Sequence, residues 1–182
     1  MQFAKDSFYR ALRDRLTSVN PARIVGSGDG TRPGVIVAEN EVATSADPLP
    51  EAFYIFWGAA RIAKAYPGAP RPLIGLECSI AYRTAGSSDS GVDRGRKLAA
   101  LDSDLLAICS PTSTAKLDYS QTPSADLGTN IFWTTPDLSE IEALGGETPS
   151  NWRKTRISQG PRLQRVAALT VFFYPRHSRH EH

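Results

Sequence analysis

LIGLECSIAYRTAGSSDSGVDRGRKLAALDSDLL, residues 73–106, passes from one hydrophobic period to another within a single stretch. Ile74, Leu76, Cys78, Ile80 and Tyr82 take every second position, with Gly75, Glu77, Ser79, Ala81 and Arg83 between them. Side chains alternate across an extended chain, so the segment is predicted to be a strand with one buried face. The polar run TAGSSDSGVD reads as a loop. Beyond it Leu98, Leu101, Leu105 and Ile108 share one helix face, and Asp93 stands where a cap is expected. Arg94, Arg96, Lys97, Asp102 and Asp104 make up the wet face, and Pro111 ends the helix.

Upstream, Phe8, Leu12 and Leu16 recur at helical spacing, with Tyr9 and Val19 beside them and Arg10, Arg13, Asp14 and Arg15 turned to water. A helix is expected from Asp6 or Ser7 to Ser18, stopped at Asn20-Pro21. Arg23-Ile24-Val25 and Val35-Ile36-Val37 flank GSGDGTRPG and predict a hairpin. That glycine-rich turn lacks the Lys-Ser/Thr of a phosphate loop. Residues 38–51 read as a loop. Phe53 to Trp57 look like a strand, while residues 59–66 fit either a strand or a helical turn.

Downstream, residues 110–130 have a loop's composition, Ile131-Phe132-Trp133 is a short strand, and residues 136–144 allow a short helix. The closing segment RVAALTVFFY, residues 165–174, is apolar on both phases. It is expected to be a central strand covered on both faces, with a neighbouring copy available as cover.

The 182 residues fit one domain, 1–182, large enough to bury a core without staples. A net charge of +2 gives no polyanion-binding signature over the whole chain. No apolar run approaches the roughly 20 residues of a membrane span, and the N-terminal residues lack a signal peptide's apolar segment, so a cytoplasmic protein is expected. Cys78 and Cys109 fall on apolar phases and are expected as core residues. His177, His180 and His182 crowd the C-terminal end, away from either thiol in sequence. No zinc-protease, CxxC, nucleophile-elbow or phosphate-loop motif occurs. Asp102/Asp104 and Glu140/Glu142 stand two apart, which on a helix does not make them face each other, and are expected as solvated surface. Catalytic residues, cofactors and metal ligands are therefore not proposed, and the chain is not expected to be an enzyme. A second basic group follows Trp152 at Arg153, Lys154, Arg156, Arg162 and Arg165, without interleaved aromatics, so nucleic acid is not expected as a partner.

The element order is a helix (FYRALRDRLTSV), a hairpin (ARIVGSGDGTRPGVIVA), an alternating strand (PLIGLECSIAYRT), a Ser/Gly/Asp loop, a second helix (RGRKLAALDSDLLAIC) and a hydrophobic strand (RVAALTVFFY). This order resembles that of the tail terminator and minor tail proteins of long-tailed bacteriophages and prophages. The inserts at 38–51 and 110–160 are longer than in compact members of that family. The resemblance implies an α+β fold: a mostly antiparallel sheet of four to six strands, with two main helices on one face. It further implies a structural protein that caps the tail tube as a hexameric ring of copies and meets the tail-tube and head-connector proteins. Such a protein is cytoplasmic during assembly and then part of the virion. Candidate interaction residues are Gly86, Asp89 and Asp93 in the loop, the adjoining Arg94, Arg96 and Lys97, and Trp152, Arg153, Lys154 and Arg156. The other readings kept open are a small enzyme or ligand-binding domain and a nucleic-acid-associated protein.

Overall fold

In a computed structural model the described residues are 1–27, 30–41, 49–65, 71–84, 91–110, 113–139, 142–143 and 163–175. The alternating segment forms strand β5, Leu73–Arg83, and the main sheet is built around it. Chain order gives helix α1 (Gln2–Val19), strands β1 (Ile24–Ser27), β2 (Gly30–Pro33) and β3 (Val35–Val37), short helix α2 (Ala38–Glu41) and strand β4 (Phe53–Lys64). After β5 come helix α3 (Gly91–Ile108) and strands β6 (Ser113–Asp118), β7 (Ala125–Trp133), β8 (Asp137–Leu138), β9 (Glu142–Ala143) and β10 (Leu163–Phe173). The main sheet runs β3-β4-β5-β10-β7-β6, with β8 and β9 added against β10. All its pairings are antiparallel except β3 with β4. The α+β class, mostly antiparallel, is as expected, but the main sheet has eight strands among the described residues where four to six were expected, the short β8 and β9 and the β6–β7 hairpin adding to it.

Both long helices lie on one face. From α1, Ala4, Phe8, Leu12 and Leu16 join Leu98, Leu101, Leu105 and Ile108 of α3 over Ile55, Cys78, Ile80, Leu169 and Val171. Phe8 wedges between two strands, its ring meeting Trp57 edge-on at 5.7 Å and Trp133 at 5.1 Å. Burying each such side chain contributes about 1.5–3 kcal/mol relative to leaving it in water. On the opposite face, beside β3, a smaller cluster gathers Val25, Ile36, Ala52 and Tyr54, with Phe56 against it.

β10 is central, between β5 and β7, as its composition predicts. Its cover is one-sided among the described residues. Ala167, Leu169, Val171 and Phe173 are buried under the helices, whereas Ala168 is exposed and Val166, Thr170 and Phe172 are half-buried on the other side.

Several elements differ from expectation. The first helix starts at Gln2, and Ser7 lies inside it, donating to the Phe3 carbonyl rather than capping. The hairpin is tighter than predicted: β1 pairs with β2 as a separate two-stranded unit, and Val35–Val37 joins the main sheet. Residues 53–64 are one strand carrying register shifts between Trp57 and Ala60 and between Ile62 and Lys64. The largest correction falls at 110–130, where β6 and most of β7 stand in place of a loop. Leu117 and Asp118 pair with Asp126 and Ala125 across a tight connection, so polar, Thr- and Ser-rich residues sit on an outer hairpin that needs little apolar content. Residues 137–138 and 142–143 bridge to β10 as strands, not as a helix. The expected insert loops are thus partly structured; residues 42–48 and 144–160 lie outside the described residues.

Candidate interaction surface

The sequence-predicted residues separate in the structure. Gly86, Asp89, Trp152, Arg153, Lys154 and Arg156 lie outside the described residues. Asp93, Arg94, Arg96 and Lys97 fall in the first turns of α3, which begins at Gly91, so Asp93 is inside the helix and not its cap. There its carboxylate still favours the positive end of the helix dipole. Arg96 Nη1 stands 3.4 Å from Asp93 Oδ1 on an open surface, with the arginine side chain 77% exposed.

The other two carboxylates of α3 are not solvated surface. Asp102 accepts the Tyr82 hydroxyl at 2.6 Å and lies 3.0 Å from Arg165 Nε. Asp104 accepts Arg23 Nε at 2.6 Å and Asn20 Nδ2 at 2.8 Å. Two residues apart, they point about 200° around the helix axis, so one bolts α3 to the sheet and the other to the α1–β1 junction. Helical spacing alone cannot show this, because the partners come from β5, β10 and the turn after α1. Burial, then the bond to Asp102, pushes the Tyr82 phenol well above its ordinary range.

Arg15 closes the far end of α3, donating to the carbonyls of Ile108 at 2.8 Å and Ser110 at 3.0 Å while stacking on Trp133. Cys78 and Cys109 are buried free thiols, as expected. Burial raises Cys78 and pushes Cys109 up to about 12, so neither is a thiolate nucleophile at neutral pH.

One cleft of about 200 Å³ opens between α1, β3, α2 and β4, lined by Gln2, Lys5, Asp6, Tyr9, Val37, Glu39 and Trp57. Its charges answer one another: Lys5 Nζ sits 3.6 Å from Glu39 and over the Trp57 ring at 5.4 Å, and Gln2 donates to Asp6 at 2.8 Å. Tyr9 accepts from Arg32 at 2.9 Å. The aromatic floor is thus already occupied by the chain's own lysine. Among the described residues no three His, Cys, Asp or Glu side chains are grouped to hold a metal ion, and no helix is long and apolar enough to cross a membrane.

The more open feature is an arm missed in the sequence. Residues 58–64 of β4 are exposed on both faces, Ile62 at 65%, and pair only with β5 among the described residues. The arm extends beyond the cover of the helices, at the end of the sheet away from Tyr82 and Arg165. It is narrow at its root: a Cβ on Gly58 would come 3.0 Å from Glu77 Cβ. Its sequence signal was the run GAARIAKA, too small in side chain to fill a core. The outer sheet face between arm and β7 carries Phe172 stacked on the 38%-exposed Phe132 at 5.2 Å, and farther along β10, past Thr170, Ala168 is exposed on the same side. No protein-family model matches the chain, and no curated protein matches it significantly.

Proposed function

We propose that this chain is a structural component of a phage or prophage tail, a tail terminator or tail-completion protein that self-associates into a ring on the tail tube. One observation supports the reading: among the described residues the sheet is covered by helices on a single face, apolar side chains are left partly open on the other, and the end of β4 projects past both. Phe132 is 38% exposed on that face and stacked on Phe172, Ala168 of β10 is exposed there as well, and Ala63 of the arm shares that side beside Gly75. Contiguous exposed apolar surface marks interaction sites more often than it marks free surface. A closed ring needs two different patches per copy meeting head to tail, and the α3 start and the outer sheet face are two such patches. The chain's part in this role is shape and contact, with chemistry left to other proteins.

The test is assembly. Mixed with tail-tube protein, the chain is expected to form rings at tube ends by negative-stain microscopy and to stop further tube growth. The reversal Arg96→Glu, at a side chain 77% exposed, should weaken that capping without unfolding the chain, because exposed substitutions shift stability by less than about 0.5 kcal/mol. Tubes that elongate unchanged in its presence would remove the reading in favour of a ligand-binding domain.

A further inference from the structure

We propose that the cleft between α1, β3, α2 and β4 seats the guanidinium group of an arginine side chain carried by a partner protein, in place of the Lys5 ammonium that occupies it in the free chain. One face of α1 brings Gln2, Lys5, Asp6 and Tyr9 to this cleft, opposite Glu39 and Trp57. Its volume of about 200 Å³ is below the roughly 300–1,000 Å³ of pockets that enclose drug-sized molecules. It has room for the end of a side chain.

The chain's own lysine shows that this place holds a cation. Lys5 Nζ lies over the Trp57 ring, 5.4 Å from its centroid, and the side chain is only 18% exposed. Yet the ammonium is held loosely. Its ion-pair partner, Glu39 Oε2, stands 3.6 Å away, beyond hydrogen-bond distance, and among the described residues the ammonium makes no hydrogen bond. The long aliphatic stem of a lysine lets such a head group swing out to water.

Acceptors remain for a better-fitting cation. Asp6 uses one oxygen on the Gln2 amide at 2.8 Å, and among the described residues its other oxygen accepts no hydrogen bond. The Glu39 carboxylate is 53% exposed and likewise accepts none. Charge then selects the guest. The lining carries two carboxylates against one ammonium, whereas Arg13 and Arg32 stand outside it and donate to the Tyr9 hydroxyl at 3.3 and 2.9 Å. An anion would meet both carboxylates, and a second cation beside Lys5 would be repelled, so the guest replaces Lys5. A guanidinium group is planar, more weakly hydrated than an ammonium, stacks on an aromatic face and pairs with a carboxylate through two N–H groups. It gains more from Trp57 and the carboxylates than Lys5 does.

The experiment titrates the full, isotope-labelled chain with arginine blocked as its N-acetyl amide, and with the neutral citrulline analogue of the same shape. In Lys5→Met, which keeps the aliphatic stem, saturable shifts are expected at the Trp57 indole N–H and at the amides of residues 2–9 and 37–39. The unsubstituted chain should give the same shifts with about tenfold weaker affinity, and Glu39→Gln added to Lys5→Met should weaken binding again. The unsubstituted chain keeps the test decisive should Lys5→Met not fold: its shifts must appear with the arginine probe and not with the citrulline one. Equal response to the two probes would mark a neutral polar guest and overturn the proposal. So would tighter binding of acetate, tighter binding of free arginine than of the blocked form, or no saturation up to about 100 mM probe. No tube protein enters this experiment, so it and the capping test can fail separately.

Discussion

Phe8 links the two sides of the sheet's buried face. It is fully buried between Trp57 on β4 and Trp133 on β7. Phe8→Ala should cost about 3–5 kcal/mol, read as a fall in the urea midpoint at constant m-value. A loss below 1 kcal/mol would mean the two tryptophans close the gap by themselves. The buried thiols make a second prediction at this scale. Cys109, at 9.0 when free in water, is held up to about 12 by burial, and Cys78 and Tyr82 are raised as well. Over that range the folded chain keeps protons that the unfolded chain gives up. Stability should hold below about pH 9 and fall as pH climbs toward 12, seen as a lowered midpoint in denaturant titrations. Native alkylation by iodoacetamide at neutral pH should be slow and limited by unfolding. Both cysteines were legible in the sequence, because each falls on an apolar phase whose partner residues are in the same element.

At the scale of elements, α3 is fastened by carboxylates that its own sequence presents as surface. Asp104→Ala takes from Arg23, only 10% exposed, its 2.6 Å partner and leaves it the longer contacts to Glu51, and should cost about 1–3 kcal/mol in chemical denaturation. Asp93→Ala removes an exposed pair at 3.4 Å and should change stability by less than about 0.5 kcal/mol. Equal effects of the two substitutions would contradict the assignment of Asp104 as a tether. Helices α1 and α3 and strand β5 could be read from periodicity because each has one apolar face over many residues. β6 and the first part of β7 could not. Their burial alternates weakly, Asp126, Gly128 and Asn130 face solvent, and their stability comes from pairing with each other, which a local pattern does not display. Likewise β3 is separated from the β1–β2 hairpin by its parallel pairing with β4, a long-range choice hidden in the three residues VIV.

For the whole molecule, the expected two-sided burial of β10 resolves, among the described residues, into one closed face and one half-buried face. Apolar residues on both phases of a strand are what a strand covered on both faces needs, and under the proposed ring a neighbouring copy would cover the second. Of the candidate site, the α3 start was legible as a cluster of charge, and the β4 arm was not, because small residues on an edge carry no hydrophobic signal. The measurement that bears most directly on the assembly role is light scattering across a concentration series, with and without tail-tube protein. Growth from small species to a closed ring, completed when tube is present, is the expected result. A strict monomer under every condition, with tube ends left uncapped, would contradict it.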